Sequence, residues 1–108
     1  MTKDPWVGTS FHDDVIDATY DELIEKIGEP TFTEKSSDDK VQKEWQLMTD
    51  DGVAFTIYDW KEYDRDVTDG ESVRWHVGYH GGLSNQAAIV SYMQKRELRV
   101  TRYTWYKV

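Results

Sequence analysis

The sequence predicts an α+β domain built on an antiparallel sheet of three to five strands, with a central meander and two helices. Three observations carry this expectation. Residues 41–61 hold two β-rich runs around Asp50-Asp51-Gly52; residues 72–80 alternate between apolar and polar side chains; and Thr19-Tyr20-Asp21-Glu22 has the form of a capping box that opens a short helix.

In chain order, the first helix runs on from Thr19, with Leu23, Ile24 and Ile27 as its apolar side, and Gly28 followed by Pro30 ends it. The segment from Glu34 to Lys40, rich in Ser, Asp and Lys, reads as a loop rather than a domain linker. The hairpin that follows has two candidate registers. A three-residue loop with Gly52 in the left-handed conformation sets Leu47 opposite Phe55, Trp45 opposite Ile57 and Lys43 opposite Asp59; a two-residue loop would set Glu44 against Asp59. The first is preferred because it aligns apolar pairs and replaces a like-charge contact with an opposite-charge one. A third strand over Ser72–His80 places Val73, Trp75 and Val77 on the core face, and Gly81-Gly82 breaks it. Ser84 is expected to cap a helix over about Asn85 to Glu97, buried through Ala88, Ile89, Tyr92 and Met93, and Leu98–Tyr106 returns as a strand. The N-terminal segment allows one more strand.

With 108 residues, a single domain spanning 1–108 is expected. Five Trp, seven Tyr and three Phe supply much of the apolar area for its core. The chain has no cysteine, which removes disulfides, thiolate metal sites and a cysteine nucleophile. Neither a secretory leader nor a run of eighteen apolar residues is seen, so cytoplasmic residence without membrane contact is expected. The net charge of -8 is unevenly spread: residues 1–71 hold 20 acidic and 7 basic side chains, whereas residues 72–108 hold 1 and 6. Such asymmetry points either to charged partners or to acidic and basic elements that neutralise each other in the folded chain.

Two groups of residues are candidates for function. The sheet face opposite the core would display Glu44, Gln46, Tyr58, Trp60, Arg74 and His76. Aromatic planes can stack a base while Arg and His hold an anion, so Tyr58, Trp60, Arg74 and His76, with Lys95, Arg96, Arg99 or Arg102 on phosphates, form a nucleotide-sized ligand set. The competing reading is an ordinary polar second face. The other group is acidic: Asp13, Asp14 and Asp17; Asp50 and Asp51; and the loop from Asp59 to Glu71 with Glu62, Asp64, Asp66 and Asp69. Carboxylates on a rigid frame can imitate a phosphate backbone and occupy a basic groove that binds nucleic acid, so Asp13, Asp14, Asp17, Glu62, Asp64, Asp66, Asp69 and Glu71 are the candidate protein-binding residues. Direct DNA binding by so acidic a chain is not expected.

No catalytic motif emerges: there is no Gly-x-Ser-x-Gly elbow and no phosphate-cradling glycine loop. Neither a metal nor a cofactor is expected. His76 and His80 on one strand would lie about 13 Å apart, too far for one ion. The loop after Asp64 lacks the carboxylate spacing of a calcium loop, with Trp75 standing where the bidentate Glu should be.

The combination Glu44-Trp45, Phe55-Thr56-Ile57-Tyr58-Asp59-Trp60-Lys61 and Trp75-His76-Val77-Gly78, with Leu23 and Gly28-Glu29-Pro30 ahead of it, resembles small proteins encoded by bacteriophages. The resemblance covers about two thirds of the chain and brings no established catalytic residues. It implies a non-enzymatic protein acting in the cytoplasm of an infected bacterium. The expected activity is inhibition of host defence, by anti-CRISPR-like blockade of a defence protein through the acidic surface. Sequestering a nucleotide signal in the aromatic and basic pocket is the alternative, and a small nucleotide-processing enzyme a third; self-association is left open.

Overall fold

Trp45 and Trp75 are the largest side chains fully removed from water, and a buried indole N–H needs an acceptor. In the computed structural model, which describes residues 4–102, Trp75 Nε1 donates to the Ala18 carbonyl at 2.9 Å and Trp45 Nε1 to the Gly28 carbonyl at 2.8 Å. Those carbonyls flank helix α1 (Tyr20–Ile27), so the two indoles pin it to the sheet at both ends. Their rings meet edge to face, with centroids 5.3 Å apart and planes at 86°. The capping box forms as the sequence predicts: Glu22 N donates to Thr19 Oγ1 at 3.1 Å and Thr19 N to Glu22 Oε1 at 2.9 Å. Gly28, at φ 91°, closes the other end by donating to the Ile24 carbonyl.

Five strands make one antiparallel sheet: β1 (Ser10–Ala18), β2 (Glu44–Met48), β3 (Ala54–Tyr58), β4 (Val73–Tyr79) and β5 (Thr101–Arg102), in the order β2-β3-β4-β1-β5. The architecture is the α+β class that the sequence predicts. The hairpin takes the three-residue register, with Trp45 paired to Ile57 and Leu47 to Phe55. Gly52 sits at φ 88°, and its amide bonds the Thr49 carbonyl at 3.0 Å. One face of the sheet carries Ile16, Trp45, Phe55, Ile57, Val73, Trp75 and Val77, all at most 2 % exposed. Leu23 of α1 and Ile89 and Met93 of helix α2 (Leu83–Gln94) close over that face in the same cluster. Both helices therefore lie on one side, which leaves the other side of the sheet free of helical cover.

Three expectations are corrected. Ser84 does not cap α2; the helix begins earlier, with Gly82 at its N-cap and no side-chain cap bond, because Gly81 and Gly82 both adopt positive φ and turn the chain straight into it. Its regular part ends at Gln94, where Glu97 at φ 61° and the bond from Leu98 N to the Met93 carbonyl wind the last turn down. The final strand is Thr101–Arg102: Leu98, Arg99 and Val100 of the expected Leu98–Tyr106 run are irregular, and residues 103–106 lie outside the described residues.

Strand β1 also carries an irregularity that sequence alternation does not show. Phe11 pairs with Gly78 and Val15 with His76, so β1 spends four residues where β4 spends two. Asp13 absorbs the bulge at φ 73°, a conformation Asp tolerates better than most residues.

Replacing Gly52 with Val should lower stability by about 1 to 2 kcal/mol, because a β-branched residue resists positive φ. Denaturant midpoints at constant slope would show the loss; an unchanged midpoint would mean that the loop tolerates a side chain at this angle.

Candidate functional site

The segment between β3 and β4 bears most of the acidic residues of interest, and its shape follows from where buried polar groups find partners. Asp59, directly after β3, is wholly buried. Its carboxylate accepts the backbone N–H of Gln42 (2.8 and 2.9 Å to the two oxygens) and that of Lys43 (2.8 Å). Lys43 stands next to Asp59 as the three-residue register sets it, but it bonds the carboxylate through its backbone N–H, and its Nζ donates to the Thr33 carbonyl. Burial pushes the Asp59 carboxyl above its ordinary range, partly offset by those backbone donors.

Gln42 is the second anchor. Its side-chain amide donates to the carbonyls of Glu62 (2.9 Å) and Arg65 (2.8 Å), and its Oε1 accepts from Val67 N at 3.1 Å. The Val67 side chain is fully buried in the core cluster. Arg65 ties the far end, donating to the Ser72 carbonyl (3.0 Å), the Glu71 carbonyl (3.2 Å) and the Asp69 carboxylate. Residues 59–72 thus form a braced loop.

That bracing sorts the candidate carboxylates. Asp64, Asp66, Asp69 and Glu71 are exposed and Glu62 is half-buried. Asp69 is held by Arg65, and Asp66 accepts from Thr68 N and Oγ1, so both are kept below the usual carboxylate range. The Tyr20 hydroxyl is raised by burial and then by Glu29, Asp21 and Asp66, so Asp66 of the loop acts on the same hydroxyl as an acid of α1 and one of the link after it. Sequence reasoning missed that union, because α1 and the loop are some forty residues apart.

The acids of β1 behave differently. Asp17 pairs with Arg74 across the strands at 3.0 Å, and Asp13 lies 3.8 Å from Arg102. Asp14 is corrected as a surface candidate: in phase with Ile16 and Ala18 it points to the core side, 3 % exposed, where it accepts from the Tyr79 hydroxyl and from Gln86 Nε2 at 2.9 Å. Acidic and basic elements do neutralise each other along this strand, and salt bridges at the surface contribute little to stability.

On the open sheet face, registers align Glu44, Tyr58, His76, Val15 and Thr101 in one row across all five strands. His76 stacks on Phe11 (4.1 Å between centroids) and lies 5.6 Å from Tyr58 and 6.4 Å from Trp60; Tyr58 meets Trp60 edge to face at 6.2 Å. Burial raises the Tyr58 hydroxyl to about 12, with Glu44 adding to it, and burial with the neighbouring Arg74 lowers His76. The four expected ligand residues Tyr58, Trp60, Arg74 and His76 are thus brought together. Arg102 is not: it sits on β5, beyond β1, on Asp13. Arg99 lies in the link between α2 and β5 and Arg96 stacks on Tyr92 at 3.5 Å, while Lys95 borders a depression with Asp50 and Asp51. These cations lie away from the aromatic group because β1 separates β4 from β5 and α2 covers the opposite face.

Among the described residues no group of three or more His, Asp or Glu is placed to hold a metal ion, and no helix is long and apolar enough to cross a membrane. Fold and site together define a small α+β protein with a braced acidic loop beside an open aromatic cleft. No family model matches the chain, and comparison with curated proteins and with solved structures gives no match.

Asp59→Ala should cost about 2 to 4 kcal/mol, since it leaves two buried backbone N–H groups without an acceptor. A midpoint loss below about 0.5 kcal/mol would mean that these amides find other partners. For His76, whose ordinary value is 6.5, the unfolded chain takes up the proton first. Stability from its lowered value is complete above that pH and is lost as pH falls through the folded value. Wild type should lose stability between about pH 7.5 and 5.5, and His76→Gln should lose less over the same range. Parallel losses would contradict the assignment.

Proposed function

We propose that this is a binding protein that docks its braced acidic face against a basic surface of another protein. The observation that carries the reading is the set of exposed carboxylates Asp64, Asp66, Asp69 and Glu71 on a loop fixed by Gln42, Asp59, Arg65 and Val67, with Asp66 close enough to Tyr20 to act on its hydroxyl together with Asp21 and Glu29. Charges held on a frame lose little entropy on docking and steer encounter with a cationic groove. A groove that normally holds the phosphates of a nucleic acid is the partner chemistry such an array fits. The resemblance to small bacteriophage proteins supports a bacterial defence protein as that target, with inhibition by occupancy rather than by catalysis.

Asp64, Glu71 and Glu29 are exposed and have no role in bracing the loop through their side chains, so their reversal tests the charge and spares the frame. Wild-type protein immobilised and exposed to bacterial lysate at low salt should retain a basic partner that elutes as salt shortens the screening length to a few Å. The Asp64→Lys, Glu71→Lys, Glu29→Lys variant should retain none of it while melting like wild type. Equal retention by the variant, or no retained protein with wild type, would overturn the reading.

A further inference from the structure

A cleft of about 630 Å³ opens beside the inner side of the acidic loop and the ends of β1 and β4. Its size is within the range of small-ligand sites. Trp60 forms one wall and is 39 % exposed, although Tyr58 and His76 pack against it. A large aromatic side chain held in place by its neighbours, with part of its surface still in water, is a ready stacking surface, because little rotamer freedom is left to lose on binding.

The cations around this ring are arranged for an anion. Lys40 and Lys61 lie 5.7 and 5.6 Å from the Trp60 ring centre. Among the described residues the Lys61 ammonium has no carboxylate within ion-pair distance. Lys61 and Arg74 both line the cleft, and Arg74 is oriented by Asp17. Arg65, another lining residue, has a buried Nε without an acceptor. Opposing them, Asp17 and Glu62 bring two carboxylates into the lining. These can accept hydrogen bonds from amino or hydroxyl groups but repel any additional negative charge.

We propose that the cleft binds a flat aromatic anion of the nucleoside monophosphate class, its base stacked on Trp60 and its phosphate held by Lys61 and Arg74. The two carboxylates make one phosphate group preferable to three. This inference goes beyond the docking reading, and neither depends on the other: the residues chosen to test docking do not line this cleft.

Calorimetric titration with AMP, GMP, CMP and UMP tests it, with ATP, adenosine and inorganic phosphate as comparison probes. At least one monophosphate should bind saturably at one site, tighter than its separate halves and, for AMP, tighter than ATP. Trp60→Ala should weaken that binding by at least about tenfold, as expected for a lost stack. Lys61→Glu, at an exposed position, should weaken it at least as much. Both variants should melt close to wild type; if Trp60→Ala melts early, Lys61→Glu decides. The absence of saturable heat with all four monophosphates, unchanged affinity in the deciding variant, or inorganic phosphate binding as tightly as the nucleotides would each overturn the proposal.

Discussion

The carboxylate of Asp59 cannot remain buried without donors, and the backbone amides of Gln42 and Lys43 cannot remain buried without an acceptor. Their mutual satisfaction joins the end of β3 to the entry of β2. It also brings Gln42 to the place where its side chain can bond three backbone groups of the following loop. From that clamp the rest follows in order. Residues 59–67 are drawn against the sheet, Val67 enters the core, and Arg65 is left over the returning chain at Glu71 and Ser72. Without it, the loop would be a solvated charge run whose members repel each other.

The same constraint separates the acids of this chain by what they can do. Asp14 and Asp59 are structural, each surrounded by hydrogen-bond donors in the interior. Asp13 and Asp17 on β1 answer the cations Arg102 and Arg74. What is left facing water includes Asp64, Asp66, Asp69 and Glu71 on the braced loop and Asp21, Glu22, Glu25 and Glu29 in and after α1, with Glu34, Asp38, Asp39, Asp50 and Asp51 exposed elsewhere. The strong acidity of the first two thirds of the sequence is thus spent partly on folding and partly on the surface, and the docking proposal concerns only the braced loop and the acids near α1. On the open sheet face, the aromatic group survives next to that surface because both helices are committed to the opposite side by Trp45, Trp75, Ile89 and Met93.

Much of the fold could be read directly. Gly52, the alternation of Val73 to Tyr79 and the Thr19–Glu22 capping box are local signals, and each specifies its element within a few residues. The grouping of Tyr58, Trp60, Arg74 and His76 was legible for the same reason, since it needs only neighbouring strands in phase. What escaped depends on long-range topology. Strand β1 inserts between β4 and β5, which carries Arg102 away from the aromatic group. Asp14 shares the core face of β1 with Ile16 and Ala18, but what holds its carboxylate there, Tyr79 and Gln86, lies 65 and 72 residues away. Gln42 gave no warning, because a neutral polar residue ahead of a strand looks like surface until its three partners are in place.

Amide hydrogen exchange resolved by residue reads this clamp most directly. If Asp59 and Gln42 hold the loop as described, the amides of Gln42, Lys43 and Val67 should exchange about as slowly as those of Trp45 and Ile57 in the paired strands, through opening of the whole domain. Exchange of these three amides at the rate of the exposed loop residues Ser37 and Asp39 would contradict the account, since the acidic loop would then open independently of the sheet.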